Sequence, residues 1–488
     1  MKSKMTRSCE ISEELPVYNR KDLSYTRTPP IWLSKRFLVT CLIFLGLINM
    51  SMTKLNVSIA VVEMTSKKLI TEGNNTITQQ AEFNWDTSKV GLVLNMYEYG
   101  GMMSFLFASI PSRIGGSTAY GTFTLLLSLL TLLIPTSVYQ DFRLFLLARF
   151  LIGFFDNISY GSRSEVFQHW IPITERSRLM SLSFNGLFVG TTLVHLTCGI
   201  VAHKWGWPMV FYVTGTCSLV WSIIWLTLIA NDPTEDRWIS KKELAHIISG
   251  TVKKPNKAVL NPYKSIFMSI PFWTLCVCRI IQGWSMTTII SCLPLYVKDA
   301  TQKSTDFVGY ISSIPSIVCT LMIPLAGAVM DGWKNNTKIR VTKMHKIIVG
   351  FNFFTGVILL GSAVLLSNFI VTIASFVVIR TLLSCNALVL LMVVIYMAPN
   401  HAGTISALST FWYSLGNILS QYTIGEMTSN HRVEEWNRVF ALTSVFMALG
   451  GVLFIVCGSS EPQLWSTSAS DIFPDSEKKV VKKRLMSE

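Results

Sequence analysis

Charge is what this sequence has least of. Only 14% of its 488 residues are Asp, Glu, Lys or Arg, while half are hydrophobic. A soluble chain of this length would carry roughly a quarter charged residues. Sparse charge with long apolar runs excludes that class and points into the membrane. No Asn/Gln-rich, collagen-like or Pro-rich tract is present, which argues against a fibrous or disordered chain. His-Glu-x-x-His, Gly-x-Ser-x-Gly and the acyltransferase-like His-x-x-x-x-Asp are all missing, so the sequence offers no membrane-embedded enzyme. Cysteines are present but badly placed for cross-links. Cys41, Cys198, Cys217, Cys276, Cys278, Cys292, Cys319, Cys385 and Cys457 lie within apolar runs, so no structural disulfide is expected. Cys276 and Cys278 are separated by a single residue, a poor zinc pattern. No metal and no cofactor are expected. The first 36 residues are polar and the apolar run behind them is too long for a signal-peptide core, so no cleaved leader is expected.

What is present is a series of spans. A membrane helix needs roughly 20 apolar residues at 1.5 Å rise each. Suitable runs occur at Phe37–Val62, Lys89–Pro111, Thr118–Thr136, Phe142–Phe167, Leu179–His203 and Pro208–Ala230. A polar, Lys-rich stretch follows. Six more runs come at Ile270–Tyr296, Asp306–Met330, Lys346–Leu366, Phe369–Met397, Gly403–Met427 and Trp436–Gly458. The reading is an all-α membrane protein of about 12 transmembrane helices in two six-helix bundles, the plan of the major facilitator fold. Its parts are a tail (1–36), a first bundle (37–230), a central loop (231–269), a second bundle (270–459) and a closing tail (460–488).

Basic residues exceed acidic ones by 14. They cluster in the tails and loops, so membrane orientation explains them and nucleic acid does not. Lys35, Arg36, Lys241, Lys242, Lys253, Lys254, Lys334, Lys338, Lys478 and Lys479 all fall on one side of a twelve-span chain. By the positive-inside rule, both tails and the central loop are cytoplasmic. Asn74-Asn75-Thr76 then lies in the first outside loop, making Asn74 a permissible glycosylation acceptor.

The informative charges are those inside spans. An ionisable side chain at mid-membrane costs at least ~2.5–3.5 kcal/mol on insertion scales, so it should face a cavity or a partner. Lys54 lies in the first span and Glu98 in the second. Arg149, Asp156 and Arg163 repeat every seven residues in the fourth, which places them on one helix stripe. Glu165 sits near its end, Arg279 is in the seventh span and Arg380 in the tenth. Buried cations can hold an anion through charge-assisted hydrogen bonds. A carboxylate in the same cavity can exchange a proton. Lys54 is the candidate for substrate charge, and Asp156, with Glu98, for proton coupling. The competing reading pairs these residues with one another to hold helices together.

Several segments carry a more specific signal. Lys54-Leu55-Asn56-Val57-Ser58-Ile59-Ala60 in the first span, Asn84-Trp85-Asp86 before the second and Tyr99-Gly100 within it form one group. Arg149 through Asp156, Trp170-Ile171-Pro172-Ile173-Thr174-Glu175-Arg176-Ser177-Arg178, Leu293-Pro294-Leu295-Tyr296 and the closing Glu461-x-Gln463-x-Trp465 form another. Together they resemble the anion transporter family of solute carriers, which comprises sialin-like, vesicular glutamate transporter-like and type I sodium-phosphate cotransporter-like proteins. The resemblance runs from about Trp32 to Trp465.

It implies a symporter that moves a small anion (an organic acid, acidic amino acid, nucleotide or phosphate) with H⁺ or Na⁺ as the coupling ion. It implies substrate contacts at Lys54, Arg149, Tyr99 and Gln282, and proton coupling at Asp156. Ile110-Pro111-Ser112-Arg113-Ile114-Gly115-Gly116 resembles a shortened form of the superfamily's conformational motif, with Gly327-Ala328-Val329-Met330-Asp331 as its counterpart. Arg113 and Asp331 are therefore the expected latch. The chain departs from the family pattern at Leu94, Ile152, Gln282 and Tyr396, and lysine replaces arginine at Lys54, losing the planar fork. The expectation is a diverged anion carrier, a glycosylated monomer in a lysosomal, vesicular or plasma membrane. A transport-inactive receptor or scaffold of the same fold is the alternative.

Overall fold

The computed structural model describes residues 34–466, apart from 66–67, 73–74, 80–81, 86, 251–262, 302–304, 337–338, 367, 400, 429–432 and 464. Asn74 lies outside the described residues. With no water in a bilayer core, a crossing segment must satisfy its backbone internally, and helices do so. The described chain is built accordingly. Helix α1 covers Lys35–Thr65, α2 Thr87–Met103, α3 Ile110–Ile114, α4 Gly116–Gln140 and α5 Phe142–Trp170. Then come α6 (Arg176–Phe184), α7 (Gly186–Trp205), α8 (Trp207–Leu228), α9 (Lys241–Gly250) and α10 (Tyr263–Phe267). The second half holds α11 (Ile270–Thr301), α12 (Thr305–Asn336), α13 (Val341–Leu366), α14 (Phe369–Met397), α15 (Ala402–Met427) and α16 (Val433–Cys457). One antiparallel hairpin, β1 (Lys68–Glu72) with β2 (Asn75–Gln79), pairs Ile70 with Ile77 between α1 and α2.

Local chemistry marks the ends. The Asp141 carboxylate accepts from the Arg143 backbone N–H at 2.8 Å and caps α5. Asn368 caps α14 in the same way through Ile370 and Val371. Gly115 and Gly206 take φ values of +95° and +85°, which stops one helix and starts the next within a single residue.

Among the described residues, eight segments are long and apolar enough to cross a membrane by length and composition: α1, α4, the continuous α6–α7 pair, α8, α12, α13, α14 and α16. Four more long helices, α2, α5, α11 and α15, fall short. Helix α2 has only 17 residues before a 3-10 turn at Ser104–Phe107. These four carry Glu98, Asp156, Arg279 and Ser414.

Helices α1, α2, α4, α5, α7 and α8 pack mainly on one another, as do α11 and α13–α16, while α12 packs at least as much on α6 and α7. Contacts across the two groups run chiefly through α5 and α2 against α15, and α6 and α7 against α12. At the face where α1 begins and α5 ends, these contacts close the molecule. Ser164 and Ser406 hydroxyls meet at 2.6 Å, both buried. Ser112 Oγ lies 3.3 Å from Thr404 Oγ1. Asp331 at the end of α12 accepts from the backbone N–H groups of Ser177 (3.2 Å) and Arg178 (2.6 Å), the open N-terminus of α6. Lys334 pairs with Asp331 at 3.1 Å and also donates to the Ile173 carbonyl. Arg113 is exposed, with no ion pair among the described residues.

Candidate functional site

The charged residues of the spans converge where the two groups meet. Helix α1 brings Lys54, whose ammonium pairs with Glu98 of α2 at 2.8 Å and lies 4.8 Å from the Tyr97 ring centroid. Helical spacing places Tyr97 and Glu98 on adjacent positions that both reach inward. The close α2–α5 crossing makes this possible. A Cβ on Gly153 would fall 2.0 Å from the Tyr97 carbonyl oxygen, so only glycine permits the approach.

Across that crossing the Tyr97 hydroxyl donates a short hydrogen bond to Asp156 Oδ2. Arg149, one stripe position earlier, donates to the Thr53 and Lys54 carbonyls at 3.4 Å and covers the other part of the Tyr97 ring at 5.5 Å. Arg163, two turns beyond Asp156, lies within electrostatic reach of that carboxylate. Its guanidinium rests on Tyr120 and Tyr160 at 5.4 and 5.1 Å.

The second half answers with different chemistry. Ser414 of α15 donates to Glu98 Oε2 at 3.1 Å, and Asn417 also bonds this carboxylate. Asn417 Oδ1 in turn accepts from Thr287 at 2.8 Å. Lys54, Glu98 and Ser414 therefore form one chain from α1 through α2 to α15. Arg279 of α11 donates to Gln282 Oε1 at 3.1 Å, approaches the Tyr160 hydroxyl at 3.5 Å, and stacks on Tyr413 at 5.0 Å. Tyr160 thus carries a guanidinium from each half. Arg380 of α14 lies within electrostatic reach of the Cys319 thiol. Lys54, Glu98, Arg279 and Arg380 all lie within electrostatic reach of Tyr413.

The residues singled out from sequence do not all meet. Lys54, Glu98, Arg149 and Asp156 meet in one cluster. Gln282 is fully buried and orients Arg279, since its amide donates onward to the Leu383 carbonyl at 3.4 Å. Tyr99 is 38% exposed and makes none of the cluster's contacts, whereas Tyr97, on the face turned inward, does. Asp331 lies near the C-terminal end of α12 and joins the halves at the closed face, away from the cluster. Sequence reasoning marked Arg279 and Arg380 only as buried charges. It passed over Tyr97, Tyr160, Tyr413, Ser414 and Asn417 altogether. A polar run on the weakly apolar α15 was the available signal.

Access differs between the two halves of the N-terminal cluster. The Lys54 side chain keeps 35% of its surface, while Asp156 is only 5% exposed. Lys54 is the open part of the cluster, and Asp156, bonded by the Tyr97 hydroxyl, is enclosed. No group of three or more His, Cys, Asp or Glu suited to a metal occurs among the described residues.

Comparisons with known proteins agree with this geometry. The chain is 26% identical over 460 residues to vesicular glutamate transporter 2 of Homo sapiens, covering 89% of this chain and 76% of that one. It is 25% identical over 486 residues to vesicular glutamate transporter 1 of Bos taurus, covering 93% and 83%. Among solved structures, it superimposes on the proton:xylose symporter XylE with a TM-score of 0.69 at 14% identity, covering 88% of this chain and 98% of that one. For the transporter FucP in the outward conformation the TM-score is 0.60 at 10% identity, covering 86% and 98%. The family model described as Major Facilitator Superfamily matches residues 39–421. The chain therefore belongs to the major facilitator superfamily, as a multi-pass membrane transporter distantly related to the vesicular glutamate transporters.

Proposed function

We propose that the chain is a carrier of small organic or inorganic anions, working by alternating access of its two helix groups and driven by H⁺ or Na⁺. The observation that supports this best is the Lys54–Glu98–Ser414 chain, a charge pair at the cavity that also ties the halves together. An arriving anion competes with Glu98 for Lys54. Its binding loosens the tie between α2 and α15, so cargo and conformation are linked through one carboxylate. Only a difference in affinity between the two states shifts their balance, and this competition supplies one.

Asp156 is the proposed proton site, with Arg149 supporting the anion and Glu98 sharing the coupling role. In this conformation the face bearing Ser112, Ser164, Asp331 and Lys334 is closed. By the positive-inside expectation that face is cytoplasmic. Asp331, with Arg113 in the reverse state, is the proposed latch. A glycan on Asn74, a monomeric carrier and a lysosomal, vesicular or plasma-membrane location complete the reading. The relatives are named for glutamate, an anion that suits a cationic cluster. The departures at Leu94, Ile152, Gln282 and Tyr396 leave the cargo of this chain to experiment.

The test is uptake by the full chain in liposomes, using an anion panel under imposed pH, Na⁺ and voltage gradients. Saturable uptake of at least one anion is expected, and Asp156→Asn should remove its response to the pH gradient. Uptake whose pH response survives that substitution removes Asp156 from the mechanism. Flux of no anion under any gradient removes the carrier reading itself.

A further inference from the structure

Tyr97 touches both parts of the first-half cluster at once. Its hydroxyl donates to Asp156 Oδ2, the enclosed carboxylate. Its ring carries the Lys54 ammonium at 4.8 Å and the Arg149 guanidinium at 5.5 Å from its centroid. Lys54 in turn holds Glu98 at 2.8 Å. The buried acid and the open ammonium thus share one aromatic side chain, itself only 6% exposed.

The fold leaves the ring as the part that can move. Tyr97 sits at the α2–α5 crossing, where a Cβ on Gly153 would fall 2.0 Å from its carbonyl oxygen and one on Gly100 1.9 Å from that of Phe150. Approaches this close lock the two backbones together. The freedom that remains lies in the side-chain torsions of Tyr97. A buried phenol needs an acceptor, and an ionised carboxylate is a strong one, since a hydrogen bond to a charged group is about twice as strong as a neutral one. A protonated carboxyl is a weaker acceptor and brings a donor of its own. Phenylalanine would serve the ring contacts equally well, so packing alone does not call for the hydroxyl.

Resting on the carrier reading above, we infer that Tyr97 is the positioning residue that links a proton on Asp156 to anion binding at Lys54. With Asp156 ionised, the hydroxyl anchors the ring, and the ring holds Lys54 beside Glu98. A proton on Asp156 removes the charge that strengthens this anchor. The ring is released, and Lys54 with it, to leave Glu98 for an arriving anion. Proton and anion therefore favour each other's binding. The other ionisable groups near Asp156 and Tyr97 are Lys54 of α1, Glu98 of α2, Tyr120 of α4, and Arg149 and Arg163 of α5. Helix α15 adds Tyr413, which faces Lys54 and Glu98. The two arginines keep their charge at any working pH. Glu98 is the rival proton site, but a pH response seated there would outlive the Tyr97 hydroxyl.

The experiment follows uptake of L-glutamate, sulfate and lactate by the full chain in sealed liposomes. These probes keep their charge between weakly acid and neutral pH. Internal pH is fixed, and half-saturation is measured at neutral and at weakly acid external pH. For wild type, on whichever probe is taken up, the acid value should be lower by at least about fivefold. Tyr97→Phe keeps the ring and drops the hydroxyl. Its uptake should still saturate, with a neutral-to-acid ratio that falls toward one. Tyr97→Gln keeps a donor for Asp156 but has no ring for Lys54, and its ratio should fall as well. Size-exclusion profiles establish that each variant is folded. A purely structural tyrosine would change the yield of folded protein or the maximal rate and leave the ratio alone. A folded variant of either kind that keeps the wild-type ratio therefore overturns the inference. So does wild-type uptake with the same half-saturation at both pH values. Both results leave the anion carrier standing, whereas a wild-type protein that takes up none of the three probes removes both readings together.

Discussion

The two halves treat buried charge differently. The first puts a carboxylate in reach of two of its three cations, Glu98 for Lys54 and Asp156 for Arg163, and rests Arg149 on two backbone carbonyls and the Tyr97 ring. The second leaves Arg279 on tyrosines and an amide, with Arg380 in reach of a thiol. A half that carries its own counter-charges can rearrange them when a proton or an anion arrives. The closed face repeats the contrast in another form. Asp331 of the second half puts a full negative charge on the α6 N-terminus, while the matching junction at α15 is made by the neutral Ser112 and Thr404 hydroxyls.

The largest effect that would break this comparison is at Lys54. Lys54→Gln removes the cation but keeps much of the side-chain length, and should reduce anion uptake by on the order of 100-fold, as loss of a charge-assisted contact of ~2–3 kcal/mol implies. Uptake within threefold of wild type would mean the first half does not hold the cargo. Next come the helix crossings that position each half's site. A Cβ on Gly153 would sit 2.0 Å from the Tyr97 carbonyl oxygen, and one on Gly416 2.1 Å from that of Ile280. Gly153→Ala and Gly416→Ala should each destabilise by roughly 1–3 kcal/mol. Melting curves in detergent check this, and an unshifted curve for either would show that its crossing can relax.

How much of this was legible beforehand depends on range. The spans were readable because a membrane demands long apolar runs. The stripe Arg149–Asp156–Arg163 followed from helical geometry alone. What could not be read was the partner on another helix. Tyr97 and Tyr99 are both tyrosines of α2, but two residues apart on a helix means nearly opposite faces, and only packing against α5 decides which one meets Asp156. Arg279 was visible as a charge, yet its place on Tyr160 and Tyr413 depends on contacts between residues more than a hundred positions apart. The β1–β2 hairpin was likewise hidden in a loop that hydropathy describes only as polar.

The junctions at the closed face should give smaller effects. Asp331→Asn weakens a charged helix cap, by about 1 kcal/mol. It should shift the population toward the state with that face open, roughly fivefold. Ser112→Ala should shift it by less than twofold. Cysteine labelling from the closed side measures both, and equal shifts would erase the contrast between the junctions.

The smallest effect lies at the start of α1, where Glu175 pairs with Arg36 at 3.0 Å and His246 at 3.6 Å. Burial alone would raise the Glu175 carboxyl, but the hydrogen bond from His246 and the charges of Arg36, His246 and Arg178 outweigh it and hold the group below its ordinary value. A depressed carboxylate stabilises the fold above its unfolded pKa of about 4.3, and that contribution is lost as pH falls through the lower folded value. Glu175→Gln should therefore cost under about 1 kcal/mol near neutral pH and nothing at acid pH. Melting temperatures of the two proteins should converge as the pH is lowered, and a constant gap would mean the side chain acts by packing.

Everything turns on whether anions cross the membrane through this chain. Reconstitute the full-length protein in sealed liposomes, impose an inward gradient, and follow each radiolabelled anion of the panel with Lys54→Gln in parallel. Saturable accumulation that is lost in the variant is the predicted result. Wild-type vesicles no more permeable than protein-free ones, across the whole anion panel, would contradict it and turn the molecule into a receptor or scaffold built on a carrier's fold.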